Sequence, residues 1–297
     1  MDAEGLQRTR EAGKIAARCR EWARGAVRPG VTLRSVLETV EDMIRAGGGQ
    51  PAFPAQTSRN DIAAHYCSSL DDASVYEEGD VVKVDLGVHV DGWIADTACT
   101  VDLSPDGRWQ GLIQASADAL AAAIATVGDG VPVGEVGAAV ERTITRAGFE
   151  PVRNLTGHGL DRWKVHVAPQ VPNYAERGGG KFRTGSVVAI EPFASTGKGF
   201  IREAGKAEVF MLVRPPRNTK GVDKDVLKAI MAWRGLPIAR RYFREFDAAL
   251  VDDTLSKLAR QGSLVRYPPL VEQAGVMVAQ TEHTLYLGPD GVEIITA

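Results

Sequence analysis

The sequence predicts a mixed α/β (α+β) fold of two related halves, with a helical segment inserted in the second half. Three observations carry this reading. The stretch Gly30–Gly48 is echoed by Gly130–Phe149, where Val36, Val40, Glu41 and Ile44 recur as Val136, Val140, Glu141 and Ile144. The run Gly79–Asp85 (GDVVKVD) is echoed by Gly185–Glu191 (GSVVAIE), each a β-branched stretch that ends in a carboxylate. Both pairs come in the same order, offset by about 100 residues, as an internal duplication requires. The third observation is the alternating segment from Val81 to Asp102, which reads as a hairpin.

Taken in order, the chain opens on an alanine-rich, charged helix, MDAEGLQRTREAGKIAARCREWARG, which lacks the apolar core of a signal peptide. The repeated segments 30–48 and 130–149 carry apolar residues at four-residue spacing and predict amphipathic helices. Apolar alternation on both sides of Asp91-Gly92 predicts two strands and a two-residue turn, because Asp-Gly accepts the positive φ angles of a type I′ turn. From about residue 220 the character changes to three helical segments, DKDVLKAIMAWRG, LPIARRYFREF and VDDTLSKLARQG, followed by the strand-like SLVRYPPLV. We read residues 220–270 as a winged-helix-like insertion within a single domain covering 1–297. Its nine basic and six acidic residues between 220 and 262 predict a solvated face of mixed sign. A strand is expected at VMVAQTEHTLYL, and Pro289-Asp290-Gly291 predicts a turn before a last short strand.

Composition narrows the function. With 44% hydrophobic and 25% charged residues, the 297-residue chain can bury a large core. A net charge of −3 argues against nucleic acid or an acidic membrane surface as the main partner. Cys19, Cys67 and Cys99 are too few and too scattered for a disulfide framework, so a reducing cytoplasm is expected. No apolar stretch approaches the length of about 20 residues that crosses a bilayer.

The chemistry concentrates on acids. With a two-residue turn at Asp91-Gly92, Asp85 faces Ala98 and Asp96 faces Gly87, so the aspartates are diagonal neighbours on one face. Two buried carboxylates repel each other, and a divalent cation resolves that conflict. Further ligand candidates are His158, between Gly157 and Gly159, which should give its backbone freedom. Glu191 ends the second repeat strand where Asp85 ends the first. Glu282 lies on a strand whose alternation sets Met277, Ala279, Thr281 and His283 on the opposite face. A pocket between the two halves is the expected place for such a site.

These motifs, KVDLGVHVDGWIAD, NLTGHG, AIEPFASTGKG and AQTEHT in this order, resemble the methionine aminopeptidases over essentially the whole chain. The insertion ending in YPPL resembles the type II subclass, and the short N-terminal region is similar to its archaeal members. The resemblance implies the pita-bread fold of two pseudo-symmetric α/β halves. It implies two divalent ions (cobalt, manganese or iron(II)), with Asp85 on one, His158 and Glu191 on the other, and Asp96 and Glu282 bridging. It also implies that His65 contacts the scissile amide, that His166 steadies the substrate carbonyl, and that Phe53 and Tyr267 line the methionine pocket. Cys67 and Thr281 stand where threonine and an aromatic residue are frequent.

The reaction implied is removal of the initiator methionine from nascent chains by a metal-activated bridging water, with Glu191 moving the proton. Ribosome association and a monomeric state go with it, and no specific nucleic acid or membrane partner. The alternatives are an Xaa-Pro peptidase of the same fold, which would carry an added N-terminal domain, and a non-catalytic binding protein that would have lost ligands.

Overall fold

The computed structural model describes residues 1–297. Six helices are present: α1 (Ala3–Ala26), α2 (Leu33–Ala46), α3 (Gln110–Thr126), α4 (Val133–Arg146), α5 (Lys224–Met231) and α6 (Ala248–Arg260). Asp2 caps α1 by accepting from the Gly5 amide, and Thr32 caps α2 through Ser35. The repeated segments are α2 and α4, as the apolar spacing predicts.

The central sheet is palindromic. Its strands run in the order Gln50–Arg59, Val81–Val90, Trp93–Asp102, Glu282–Gly288, Val187–Ile190, Thr156–Asp161 and Lys164–Pro172, with Gly291–Ile294 added to Glu282–Gly288. The halves meet where Trp93–Asp102 pairs with Glu282–Gly288, and there Glu282 lies beside Ala98. The duplication extends to single hydrogen bonds. Gly30 donates to the Tyr76 carbonyl as Gly130 does to that of Phe182, and Gly79 to Leu103 as Gly185 does to Leu287. Glu41 accepts from the Ala55 amide as Glu141 does from that of Ala175.

Helices cover one face of the sheet. Val82, Val84, Leu86 and Val88 pack with α1 and α2, while Val188, Ile190, Leu285 and Leu287 pack with α3 and α4. The alternate residues point to the other face, where Phe53, Ile94, Val187 and Ala189 form a separate apolar cluster with Leu236. Both faces are therefore buried, which is why the strands read as nearly continuous apolar runs. The acids Asp85, Asp96 and Glu282 lie on this second face.

The first hairpin has the predicted register, with Asp85 opposite Ala98 and Gly87 opposite Asp96. Asp91 and Gly92 have φ of 50° and 84°, as a type I′ turn demands. The turn at Pro289-Asp290 also stands where expected, between Glu282–Gly288 and Gly291–Ile294.

Two expected elements differ. The middle helix of the insertion is absent: LPIARRYFREF forms the two-residue strand Ile238–Ala239 and a 3-10 turn, Arg240–Phe243. Ile238–Ala239 and Leu264–Tyr267 flank Val209–Leu212 in a small sheet, so pairing with a distant strand overrides local helix preference. The single strand expected at VMVAQTEHTLYL is broken into Val278–Gln280 and Glu282–Gly288. Val278–Gln280 pairs with Phe193–Ser195, a different sheet, so the chain changes partners at Thr281. No helix is long and apolar enough to cross a membrane.

Candidate metal centre

A cavity of about 250 Å³ opens on the second face of the sheet, lined by all nine residues singled out in the sequence: Phe53, His65, Asp85, Asp96, His158, His166, Glu191, Tyr267 and Glu282. Its floor is acidic, and its walls combine apolar residues such as Phe53, Phe193 and Val209 with the polar His65, His166 and Asn154. The floor is delivered by the two central strand pairs. Asp85 and Asp96 come from the first hairpin, and Glu282 from the strand that joins the halves.

His158 sits at the centre of the acids. Its Nε2 lies 3.6 Å from Glu191 and 3.9 Å from Asp96, and ligand atoms of Asp96, His158 and Glu282 fall within 4.8 Å of one another. Its Nδ1 is 3.3 Å from the Gly159 carbonyl, a contact that places the proton on Nδ1 and the lone pair on Nε2. That lone pair then faces carboxylate oxygens. Acceptor facing acceptor in a buried site calls for a cation between them.

The flanking glycines have a role other than the expected backbone freedom. Neither Gly157 nor Gly159 is among the residues of positive φ. A Cβ at Gly157 would come within 2.4 Å of the Ala189 carbonyl, and one at Gly159 within 2.4 Å of that of Ala168. They let the His158 strand pack closely against its neighbours.

Burial, and then mutual repulsion, hold the acids well above the usual carboxylate range. Asp85 is pushed up to about 6 by desolvation, opposed by its hydrogen bond from Gln280. Asp96 and Glu282 are raised further by burial and by neighbouring carboxylates, and Glu191 by burial and Asp85. Burial lowers His158 to about 3, so it is a neutral ligand at pH 7. Asp85 Oδ1, Asp96 Oδ1 and Glu282 Oε2 are buried without any hydrogen-bond partner. Three orphaned carboxylate oxygens around an imidazole lone pair fit a divalent metal centre.

The remaining predicted residues line the walls and mouth. His65 follows the short strand Ile62–Ala64 with a φ of 68°, its amide donates to Gln56 Oε1, and its Nδ1 is buried without a partner. A bulky residue on left-handed backbone is strained, and such strain concentrates at functional positions. Tyr267 stands edge-on to His65 at 5.6 Å, and the His166 ring lies 4.3 Å from that of His158. Phe53 lies opposite Gly87, at an irregularity in the pairing of its strand.

Gln280 is a site residue that the sequence reading passed over. Its amide nitrogen donates to Asp85 Oδ2 at 3.1 Å and to Glu191 Oε2 at 3.3 Å. Its position two before Glu282 put it on the same face, and alternation was the available signal. Val209, from the strand Val209–Leu212, and Pro237, from the insertion, also line the cavity, and nothing local marks either. Cys67 and Thr281 do not line it. Thr281 turns away to accept from Ser116 of α3, and Cys67 contacts Arg241.

Comparison with known proteins gives consistent results. The profile of metallopeptidase family M24 matches residues 7–232. A methionine aminopeptidase of Archaeoglobus fulgidus is 42% identical over 297 residues, covering all of both chains. Among solved structures, the methionine aminopeptidase of Thermotoga maritima superposes with a TM-score of 0.72 at 24% identity, covering 100% of this chain and 98% of that one. A thermophilic Arx1 superposes with a TM-score of 0.86 at 15% identity, covering 99% and 91%. Likeness at such identities establishes the fold alone.

Proposed function

Because the chain belongs to metallopeptidase family M24, we propose that Asp85, Asp96, His158, Glu191 and Glu282 hold two divalent metal ions in the cavity floor. The protein is a metal-dependent aminopeptidase that removes the initiator methionine, the activity named for relatives about 40% identical over the whole chain. The observation that carries the site is the convergence of four carboxylates, Asp96 and Glu282 buried and Asp85 and Glu191 half-buried, on one neutral imidazole, with three orphaned oxygens. Four carboxylates carry −4 against the +4 of two divalent ions, so the loaded centre is close to neutral. Oxygen-rich ligands with one imidazole favour manganese, iron(II) or cobalt(II).

When bound, the metal supplies Lewis acidity towards the scissile carbonyl and the attacking water. The protein supplies the rest. Phe53 and Tyr267, both lining the cavity, take the methionine side chain. Glu191, its second oxygen held by Gln280, accepts the proton of the attacking water and passes it to the leaving nitrogen. His166 donates to the carbonyl oxygen as negative charge develops there, and His65 contacts the scissile amide. The half-buried, neutral ring of His65, lowered to about 4 by desolvation, can donate without adding charge. We place the reaction in the cytoplasm, on chains leaving the ribosome, and carried out by a monomer.

The test combines metal analysis with hydrolysis of Met-Gly-Met and an Xaa-Pro peptide. Chelation should abolish cleavage of Met-Gly-Met, and reloading to two ions per chain should restore it. Faster cleavage of the Xaa-Pro peptide would overturn the substrate assignment. Full metal-dependent activity in Asp85→Ala would overturn the ligand assignment.

A further inference from the structure

Five residues other than glycine have positive φ, and two of them, Trp163 (62°) and Arg234 (56°), touch each other. The Arg234 guanidinium carbon lies 4.2 Å from the centre of the Trp163 ring, a cation–π contact. The contact joins two distant loops. Trp163 is in the turn between Thr156–Asp161 and Lys164–Pro172, and Arg234 is in the loop that follows α5 in the insertion.

Trp163 is itself wedged in place. Its amide donates to the Gly92 carbonyl at 2.8 Å, its indole lies where a Cβ on Gly92 would come within 2.3 Å, and the His89 ring stands 4.8 Å away. The indole Nε1 is buried without a partner, so the ring is held by its faces rather than by a polar anchor. On the other side, hydrogen bonds from Arg234 to Met231 and from Leu236 to Trp233 wind the loop tightly. That loop then delivers one cavity-lining residue and the side chain packed beside it. Leu236 packs in the apolar cluster with Phe53 and Val165, and Pro237 lines the cavity. Left-handed backbone at two bulky residues is unfavourable unless the surroundings hold it, and each of these residues faces the other.

We propose that Arg234 and Trp163 form a latch that fixes the Leu236-Pro237 wall of the substrate pocket and so determines which N-terminal side chains the enzyme accepts. Both are positioning residues, acting through Leu236 and Pro237. The proposal rests on the assignment of this cavity to the substrate's first residue. With the latch intact the wall stands at one width, and an unbranched side chain fills it better than a branched one. With the latch gone the wall moves outward, and discrimination falls while the metal centre is untouched.

The experiment measures kcat and KM for Met-Gly-Met, norleucyl-Gly-Met and Leu-Gly-Met with the metal-loaded enzyme. In Arg234→Ala, KM for the methionyl peptide should rise by about two- to fivefold, the range of a lost exposed cation–π contact, with kcat changed by less than about twofold. The preference for methionine over leucine should fall in parallel. Arg234→Gly removes the guanidinium but suits the positive φ, so it should melt no lower than Arg234→Ala and still lose selectivity. Trp163→Phe keeps a ring face and should stay near the unaltered enzyme. Combining Arg234→Ala with Trp163→Ala should add little to either alone. Unchanged preference in both Arg234 variants, or full additivity in the double variant, overturns the latch. Chelator-insensitive cleavage of Met-Gly-Met by the unaltered enzyme would instead overturn the reading of the site, before any variant is compared.

Discussion

Gln280 directs its amide nitrogen at Asp85 and Glu191 and so spans acids contributed by both halves of the molecule. Groups that orient metal ligands from behind commonly govern affinity, and their loss weakens binding by about 10- to 100-fold. Gln280→Leu should therefore lower metal affinity by that order while the fold is retained; titration of the metal-free protein with manganese checks this, and unchanged affinity would remove Gln280 from the centre. His166 tests a different role. It stands at the mouth of the cavity, more exposed than His158, which is 5% exposed. Loss of a donor to a developing oxyanion costs about 10²- to 10³-fold in kcat. His166→Ala should show that fall in steady-state kinetics with the melting temperature and metal content preserved, and a change confined to KM would reassign it to binding. At this scale the sequence was informative wherever a residue type was unusual for its surroundings. Acids in apolar strands and a histidine between glycines stood out, whereas the amide Gln280 and the apolar residues Val209 and Pro237 did not.

Among the elements, the first hairpin and α2 carry the sharpest tests. Gly92 has a φ of 84° and lies against the Trp163 indole. Gly92→Ala combines a strained backbone with a clash and should destabilise the protein by more than about 1 kcal/mol, read as a lowered melting temperature. Helix α2 holds Glu41, which accepts from the Ala55 amide at 3.1 Å, from the Tyr242 hydroxyl at 2.6 Å and from Arg241. Both members of the Glu41–Arg241 pair are buried, with side chains 3% and 2% exposed. Removing one partner strands a buried charge at a cost of about 3–5 kcal/mol. Glu41→Gln should show a loss in that range by denaturant unfolding, and a loss under about 1 kcal/mol would mean that the pair is solvated. Glu41 was visible in the sequence as a repeated residue, since Glu141 recurs in α4. Its ion pair was not visible, because Arg241 is 200 residues away on a 3-10 turn that local propensity reads as helix.

For the whole molecule, metal and proton compete for the same buried cluster. In the metal-free protein Asp85 is raised to about 6, so its ionised form opposes folding at pH 7, and that opposition fades as pH falls through 6 towards the unfolded value. Metal holds the carboxylate ionised and removes the conflict. Each raised carboxylate that still holds a proton must lose it before an ion can bind, so below about pH 6 affinity should drop by at least about tenfold per pH unit. The thermal shift on adding metal should accordingly be large at pH 7.5 and shrink through pH 6 to 5; a shift that does not change over this range would exclude Asp85 as a ligand. By itself, the sequence determined the duplication, the register of the first hairpin and the acids at its core, because these depend on local periodicity and turn chemistry. Tertiary structure alone decided that Glu282 meets Ala98 at the junction of the halves, that VMVAQTEHTLYL changes sheets at Thr281, and that Pro237 lines the pocket with Leu236 packed beside it. Those features are contacts between segments far apart in the chain, where the energy comes from shared burial and strand pairing that no local window contains.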